Sequence, residues 1–212
     1  AGAFKNRALN YQLRVTKETI GELLQVAARS QQHFENTELA MMVARFREVF
    51  QPSWIEMTRQ KGLTVRQAVT LASLVERETA VPEENPQVAS VFHNRLRLRM
   101  RLQCDPTVIY AMAMRDSYDG NIRREDLRID SRYNTYRYHG LPPGPIGSPG
   151  AAALRAAVEP AETRYLYFVS MNTGRHFFST TLGQHNRAVW EYQKKPFRIR
   201  RLARSRDARH EN

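Results

Sequence analysis

From residue 140 to 150 the chain reads Gly-Leu-Pro-Pro-Gly-Pro-Ile-Gly-Ser-Pro-Gly, a stretch that takes four of its ten glycines and four of its ten prolines. Proline lacks the amide hydrogen that helix interiors and inner strands require, and glycine loses the most conformational freedom on ordering. The stretch must therefore be loop. It divides a long helix-patterned part from a shorter part behind it. Its prolines restrict the backbone, and Leu141 and Ile146 give it apolar anchors, so it reads as an ordered wall and not as a flexible linker.

Upstream of this wall, apolar residues recur at helical spacing. Leu39, Met42, Val43, Phe46 and Phe50 mark a helix over residues 37–50 that Pro52 ends. Thr64 caps a second helix running to about Thr79, with Ala68, Leu71, Ala72, Leu74 and Val75 as its apolar stripe, and Pro82 closes it. Asn85-Pro86 reads as cap and first-turn proline of a third, with Val88, Val91, Phe92 and Leu96 inward. Residues 95–102 then alternate strictly between arginine and apolar side chains, which suits a strand with one basic face. Asp105-Pro106-Thr107 starts a turn or helix leading into Val108, Ile109 and Met112. Residues 116–132 form a polar, exposed connection. Near the N-terminus, Tyr11–Val15 alternates like a strand, and Thr16 caps a helix carrying Ile20, Leu23, Leu24 and Ala27.

Behind the wall, a helix is expected over residues 151–158. Residues 165–171 and 176–180 flank Asn172-Thr173-Gly174-Arg175, a β-hairpin pattern with aromatic and β-branched arms. A last amphipathic helix covers residues 182–193. With 212 residues, a little more than one typical domain of about 150, the pattern predicts one α+β body of helices packed on a small, mostly antiparallel sheet. Three segments are expected: an N-terminal stretch over residues 1–36, a main domain over 37–195 and a mobile basic tail over 196–212.

Thirty-three Lys and Arg against 21 Asp and Glu leave a net charge of +12, which favours nucleic acid, anionic lipid or an anionic wall polymer as partner. Cys104 is the only cysteine, so neither an intramolecular disulfide nor a multi-cysteine zinc site can form. No run of about 18 apolar residues is present. A membrane anchor or export signal is therefore expected outside this chain.

Candidate chemistry centres on Glu78. Its helical neighbours three, four and seven residues back are Val75, Leu74 and Leu71, so it continues the apolar stripe, whereas Glu76 sits above Ser73, Ala72 and Val69. A carboxyl against an apolar wall loses hydration in its charged form and keeps its proton to higher pH, which suits a general acid. Spacing alone leaves open the opposite arrangement, with Glu78 turned to water and paired with Arg77 or Arg95. Tyr133-Asn134-Thr135-Tyr136 with Tyr138 offers flat rings and amides suited to sugars. His176 and His185 could converge if the hairpin returns toward the last helix, but no two histidines have the spacing of a helical metal pair, and no metal site is expected. No Gly-x-Ser-x-Gly elbow, phosphate loop or dinucleotide fingerprint occurs. The arginine row at 95, 97, 99 and 101 supports a polyanion-binding module as the alternative to an enzyme.

Three consecutive blocks carry a resemblance: Ala72-Ser73-Leu74-Val75-Glu76-Arg77-Glu78-Thr79-Ala80, Val88-Ala89-Ser90-Val91-Phe92-His93-Asn94-Arg95-Leu96 and Leu102-Gln103-Cys104-Asp105-Pro106-Thr107-Val108-Ile109-Tyr110. Their order and spacing, with Tyr133–Tyr136, Gly140–Ile146, Tyr165–Val169 and His176–Ser179 behind them, resemble the YceG-like endolytic murein transglycosylases, the MltG family, over roughly residues 40–195. The family's usual segments ahead of the catalytic part are not found in residues 1–40.

The resemblance implies cleavage of the β-1,4 bond between N-acetylmuramic acid and N-acetylglucosamine, ending in a 1,6-anhydromuramoyl product. It makes Glu78 the catalytic acid. It implies a glycan cleft lined by Asn94, Gln103, Asp105, Tyr133, Asn134, Tyr136 and His176, with no cofactor. Peptidoglycan strands are the implied substrate and peptidoglycan synthases the implied partners, at the periplasmic face of the bacterial inner membrane; nucleic acid is not expected. A catalytically silent peptidoglycan- or polyanion-binding module is the alternative.

Overall fold

The computed structural model describes residues 37–196 and 198. The strand and helix expected between residues 11 and 27, and the basic tail beyond residue 198, lie outside these. Seven α-helices and one two-stranded antiparallel sheet make up the described part. In chain order they are α1 (Thr37–Val49), α2 (Pro52–Gln60), α3 (Val65–Glu78), α4 (Asn85–Arg97), α5 (Asp105–Ala113), α6 (Ala151–Val158), β1 (Tyr167–Ser170), β2 (His176–Ser179) and α7 (Leu182–Val189). A 3₁₀ turn at Pro82–Glu84 joins α3 to α4, and a π-helical turn at Trp190–Lys194 continues α7.

The core is built around α3. Thr64 closes a capping box, its side chain accepting from the Gln67 amide while Gln67 accepts from the Thr64 amide. Leu71, Ala72, Leu74 and Val75 are completely buried. Burying each of the two leucines is worth about 1.5–3 kcal/mol. The helix packs most extensively on α6, whose Ala153, Ala156 and Ala157 allow close approach, and α4 packs against both. The hairpin lies over α4, where Phe168 meets the Phe92 ring edge-on at 6.1 Å. Its other face is covered by α7, where His185 stacks on Tyr167 at 5.2 Å.

The Gly-Pro wall is ordered by α3. Ile146 is buried, and its amide donates to Ser73 Oγ at 3.0 Å. Gly150 N–H donates to Glu76 Oε2 at 3.1 Å, and Arg66 donates to the Pro143 carbonyl at 3.0 Å. The wall thus gains from α3 the hydrogen bonds that its sequence denies it internally.

Two features depart from the sequence expectations. Pro52 ends one helix but also opens another, because a proline in the first turn gives up an amide that has no helical partner there. Residues 95–102 form no strand. Instead α4 continues to Arg97 and stops in a Schellman turn, with Met100 N–H bonded to Arg95 O and Arg99 N–H to Leu96 O. Arg99 takes the left-handed position at φ 54°, where glycine is usual. The alternation therefore has no strand to act on: Arg95 is 8% exposed and Leu98 49%.

Candidate active site

Three backbone segments converge on the C-terminal end of α3. Glu78 is its last residue; Thr79 is extended, and its Oγ1 accepts from the Val81 amide at 3.0 Å, turning the chain away. From α4 comes Arg95. Cys104 and Asp105 come from the start of α5, and Tyr136 from the loop after the 116–132 connection. Glu78 makes no ion pair with Arg77 or Arg95 among the described residues. The thiol of Cys104 is its hydrogen-bond partner, and Asp105 and Arg95 stand within electrostatic reach.

The backbone beside Glu78 is fixed by a threonine pair. Thr107 Oγ1 and Thr135 Oγ1 lie 2.9 Å apart, both side chains buried. Thr135 accepts the Cys104 amide through its hydroxyl at 3.0 Å and the Gln103 amide through its carbonyl at 3.2 Å. Gln103 is thereby held at φ 51°, a left-handed conformation that a non-glycine residue keeps only when its surroundings impose it. Its side chain is left exposed.

Burial is the main cause that pushes the Glu78 carboxyl up to about 7, from 4.5. The Cys104 thiol, donating to the charged form, opposes this; the Asp105 carboxylate adds to it, and the Arg95 guanidinium opposes it. Burial also drives the Cys104 thiol well above its usual range, with Glu78 beside it acting in the same direction. Thus the thiol stays a donor. Desolvation lowers the Arg95 pKa, against the pull of Tyr167, Tyr136 and Glu78. Burial, followed by the hydrogen bond to Asp105, raises the Tyr136 phenol.

The residues anticipated as cleft-lining separate into two sets. Tyr136 donates its hydroxyl to Asp105 Oδ1, and both lie beside Glu78, with Gln103 adjoining. Tyr133 stacks at a tilt on Tyr110, 4.7 Å between centroids, and its hydroxyl faces Gly144 of the wall. The other three side chains are engaged in bracing. Asn94 donates to the carbonyls of Thr163 and Tyr165. Asn134, completely buried, donates to Leu127 O and Ile129 O and accepts the Tyr136 amide. His176 Nδ1 lies 2.7 Å from Glu84 Oε2, with its ring among Phe168 and Phe178.

The roles of Arg95 and Cys104 escaped sequence reasoning. Arg95 donates through Nε to Leu166 O at 2.7 Å and through Nη1 to Leu102 O at 2.6 Å, while its guanidinium lies 5.2 Å from the Tyr167 ring. It ties α4 to the residue just before β1 and to the segment before α5. The helical reading of residues 85–96 carried the signal, since it places Arg95 four residues after Val91. Cys104 was legible only as the neighbour of Asp105. Tyr167 and His185 lie on the hairpin face opposite His176, as strand alternation dictates, so the two histidines do not converge. Among the described residues, no group of three or more His, Cys, Asp or Glu side chains is placed to hold a metal ion. An apolar groove of about 510 Å³ between α1 and residues 148–154 contains none of the groups around Glu78.

This geometry coincides with a match to the YceG-like family over residues 28–191. The chain belongs to the YceG-like family. It is 42% identical over 137 residues to a protein of Bacillus subtilis named endolytic murein transglycosylase, covering 65% of this chain and 37% of the relative. A protein of the same name from Streptococcus pneumoniae is 36% identical over 140 residues, covering 63% of this chain and 25% of the relative. The chain therefore spans well under half the length of these relatives. The crystal structure of a YceG-like protein from Listeria monocytogenes superimposes with a TM-score of 0.61 at 33% identity, over 74% of this chain and 50% of that one. The YceG-like α+β architecture read from the sequence is the one found.

Proposed function

We propose that this YceG-like chain is a peptidoglycan lytic transglycosylase that cleaves the β-1,4 bond between N-acetylmuramic acid and N-acetylglucosamine within glycan strands, with Glu78 as the acid and then the base. The observation that carries the reading is the carboxyl of Glu78, half-buried at the end of α3 beside the Cys104 thiol and pushed by desolvation up to about 7, so that it keeps a proton at the pH where it must work. The names of the curated relatives support the substrate class.

Glu78 passes its proton to the glycosidic oxygen as the bond to the anomeric carbon breaks, and the N-acetylglucosamine leaves with a 4-hydroxyl. The muramoyl 6-hydroxyl then attacks the anomeric carbon, and its proton returns to Glu78. A 1,6-anhydro ring forms and no water is consumed. Because the nucleophile belongs to the substrate, attack is intramolecular and gains from orientation. Gln103, Asp105, Tyr133 and Tyr136 are the side chains we assign to the sugar, and Asn94, Asn134 and His176 to the shape of the cleft. The substrate places the chain's work at the extracytoplasmic face of the inner membrane, with peptidoglycan synthases as partners. No helix among the described residues is long and apolar enough to cross a membrane.

Mass spectrometry of digested sacculi tests this reading. Anhydromuramoyl ends that appear with the wild-type chain and vanish with Glu78→Gln support it. Reducing ends would make the protein a hydrolase, and no cleavage would leave a peptidoglycan-binding module.

A further inference from the structure

As Glu78 gives up its proton, the positive charge that grows on the sugar ring has only the carboxylate so formed to offset it, and glycoside-cleaving sites commonly supply a second carboxylate. Glu76 does not fill that place, because it is bound to the Gly150 amide. Arg77, on the same helix, lies against Gly147. The groups that face Glu78 from neighbouring elements are Arg95 of α4, the Cys104 thiol, the Tyr136 phenol and the Asp105 carboxylate. Asp105 alone among them is a second carboxylate.

Its placement is built from both sides. Asp105 opens α5, where the positive end of the helix favours an anion. Its Oδ1 accepts the Tyr136 hydroxyl, and the Tyr136 amide is held at 2.9 Å by the buried Asn134. Asp105 is nonetheless exposed, while Glu78 is half-buried and loses hydration in its charged form. The pair therefore has contrasting environments, one carboxyl built to hold a proton and one open to the cleft.

We propose that Asp105, aimed by the Tyr136 hydroxyl, is the second working carboxylate of the site, a fixed negative charge that faces both Glu78 and the sugar carbon on which Glu78 acts. Before reaction it disfavours a second negative charge on Glu78. As the glycosidic bond breaks it offsets the charge on the ring. This second role rests on the lytic transglycosylase reading above; the first does not.

The test therefore has two arms. Carbon-13 NMR titration of the Glu78 carboxyl, assigned by its loss in Glu78→Gln, is run on the wild-type chain, Asp105→Asn and Asp105→Glu without substrate. The expected result is a midpoint that falls by about half a unit or more in Asp105→Asn and stays near the wild-type value in Asp105→Glu. An unchanged midpoint in Asp105→Asn overturns the proposal. Turnover of glycan strands forms the second arm. Asp105→Asn is expected to lower kcat by about 10²-fold with little change in KM, Asp105→Glu to recover part of it, and Tyr136→Phe to lower kcat by a smaller factor. A loss confined to KM makes Asp105 a sugar-holding residue and overturns the proposal. A wild-type midpoint near 4.5, or a fully active Glu78→Gln, instead removes Glu78 as the acid, and so separates failure of the functional reading from failure of this one.

Discussion

Glu76 and Glu78, two residues apart on α3, face different partners: Glu76 Oε2 accepts the Gly150 amide at 3.1 Å, whereas Glu78 meets the Cys104 thiol. One carboxyl fastens the Gly-Pro wall and the other is the acid we propose. Replacement by glutamine distinguishes them, since a glutamine oxygen still accepts from Gly150 but cannot donate an acidic proton. Glu78→Gln is expected to lower release of anhydromuropeptides by about 10²–10⁴-fold, and Glu76→Gln to retain most of it. Comparable losses from both would overturn the division of roles.

The carboxyl of Glu78 also makes stability depend on pH. Its folded pKa, about 7, lies above the unfolded 4.5, so the native state binds the proton more tightly. The resulting stabilisation is complete below 4.5 and is lost as pH rises through 7. The loss amounts to at most about 3 kcal/mol. Urea unfolding at pH 5 and pH 8 should show this fall in the wild-type chain, and Glu78→Gln should remove it.

Cys104 acts on the same group with opposite sign to burial. Cys104→Val removes the donor to the charged form of Glu78, so the alkaline limb of the activity profile should move to higher pH. Cys104→Ser, a stronger donor, should move it lower. A limb that moves in the same direction in both variants contradicts a hydrogen-bonding role for the thiol.

Arg95 binds two main-chain carbonyls from different segments with the fork of one guanidinium. Arg95→Met leaves both carbonyls without their donor, and a loss of about 2–4 kcal/mol in urea unfolding is expected. Arg95→Lys should recover only part of this, since an ammonium group lacks the planar fork.

Arg99 occupies a left-handed position at the end of α4, which costs an L-residue about 1–2 kcal/mol. Arg99→Gly relieves that cost, and glycine's greater freedom in the unfolded chain offsets part of the gain. A net stabilisation of about 0.5–1 kcal/mol is expected, measurable as a higher urea midpoint.

Local pattern determined much of this protein. The cap at Thr64, the stripe through Leu71 and Val75, the proline start of α4, the bounds of α6 and the Asn-Thr-Gly-Arg hairpin all depend on neighbours within a few residues, and all were legible. Glu78 was legible as an anomaly for the same reason, because a helix fixes which side chains share a face. What surrounds Glu78 was decided by tertiary structure. Cys104 and Asp105 are some 26 residues away and Tyr136 some 58, and Thr107 and Thr135 clasp the first turn of α5 to the loop that carries Tyr136. The arginine alternation misled for a related reason: a period of two describes a strand only where a neighbouring strand pairs with it, and here the backbone of residues 95–97 had its hydrogen bonds within α4. Position along the chain settles local geometry, whereas the dryness of a carboxyl and the charges around it are properties of the packed whole.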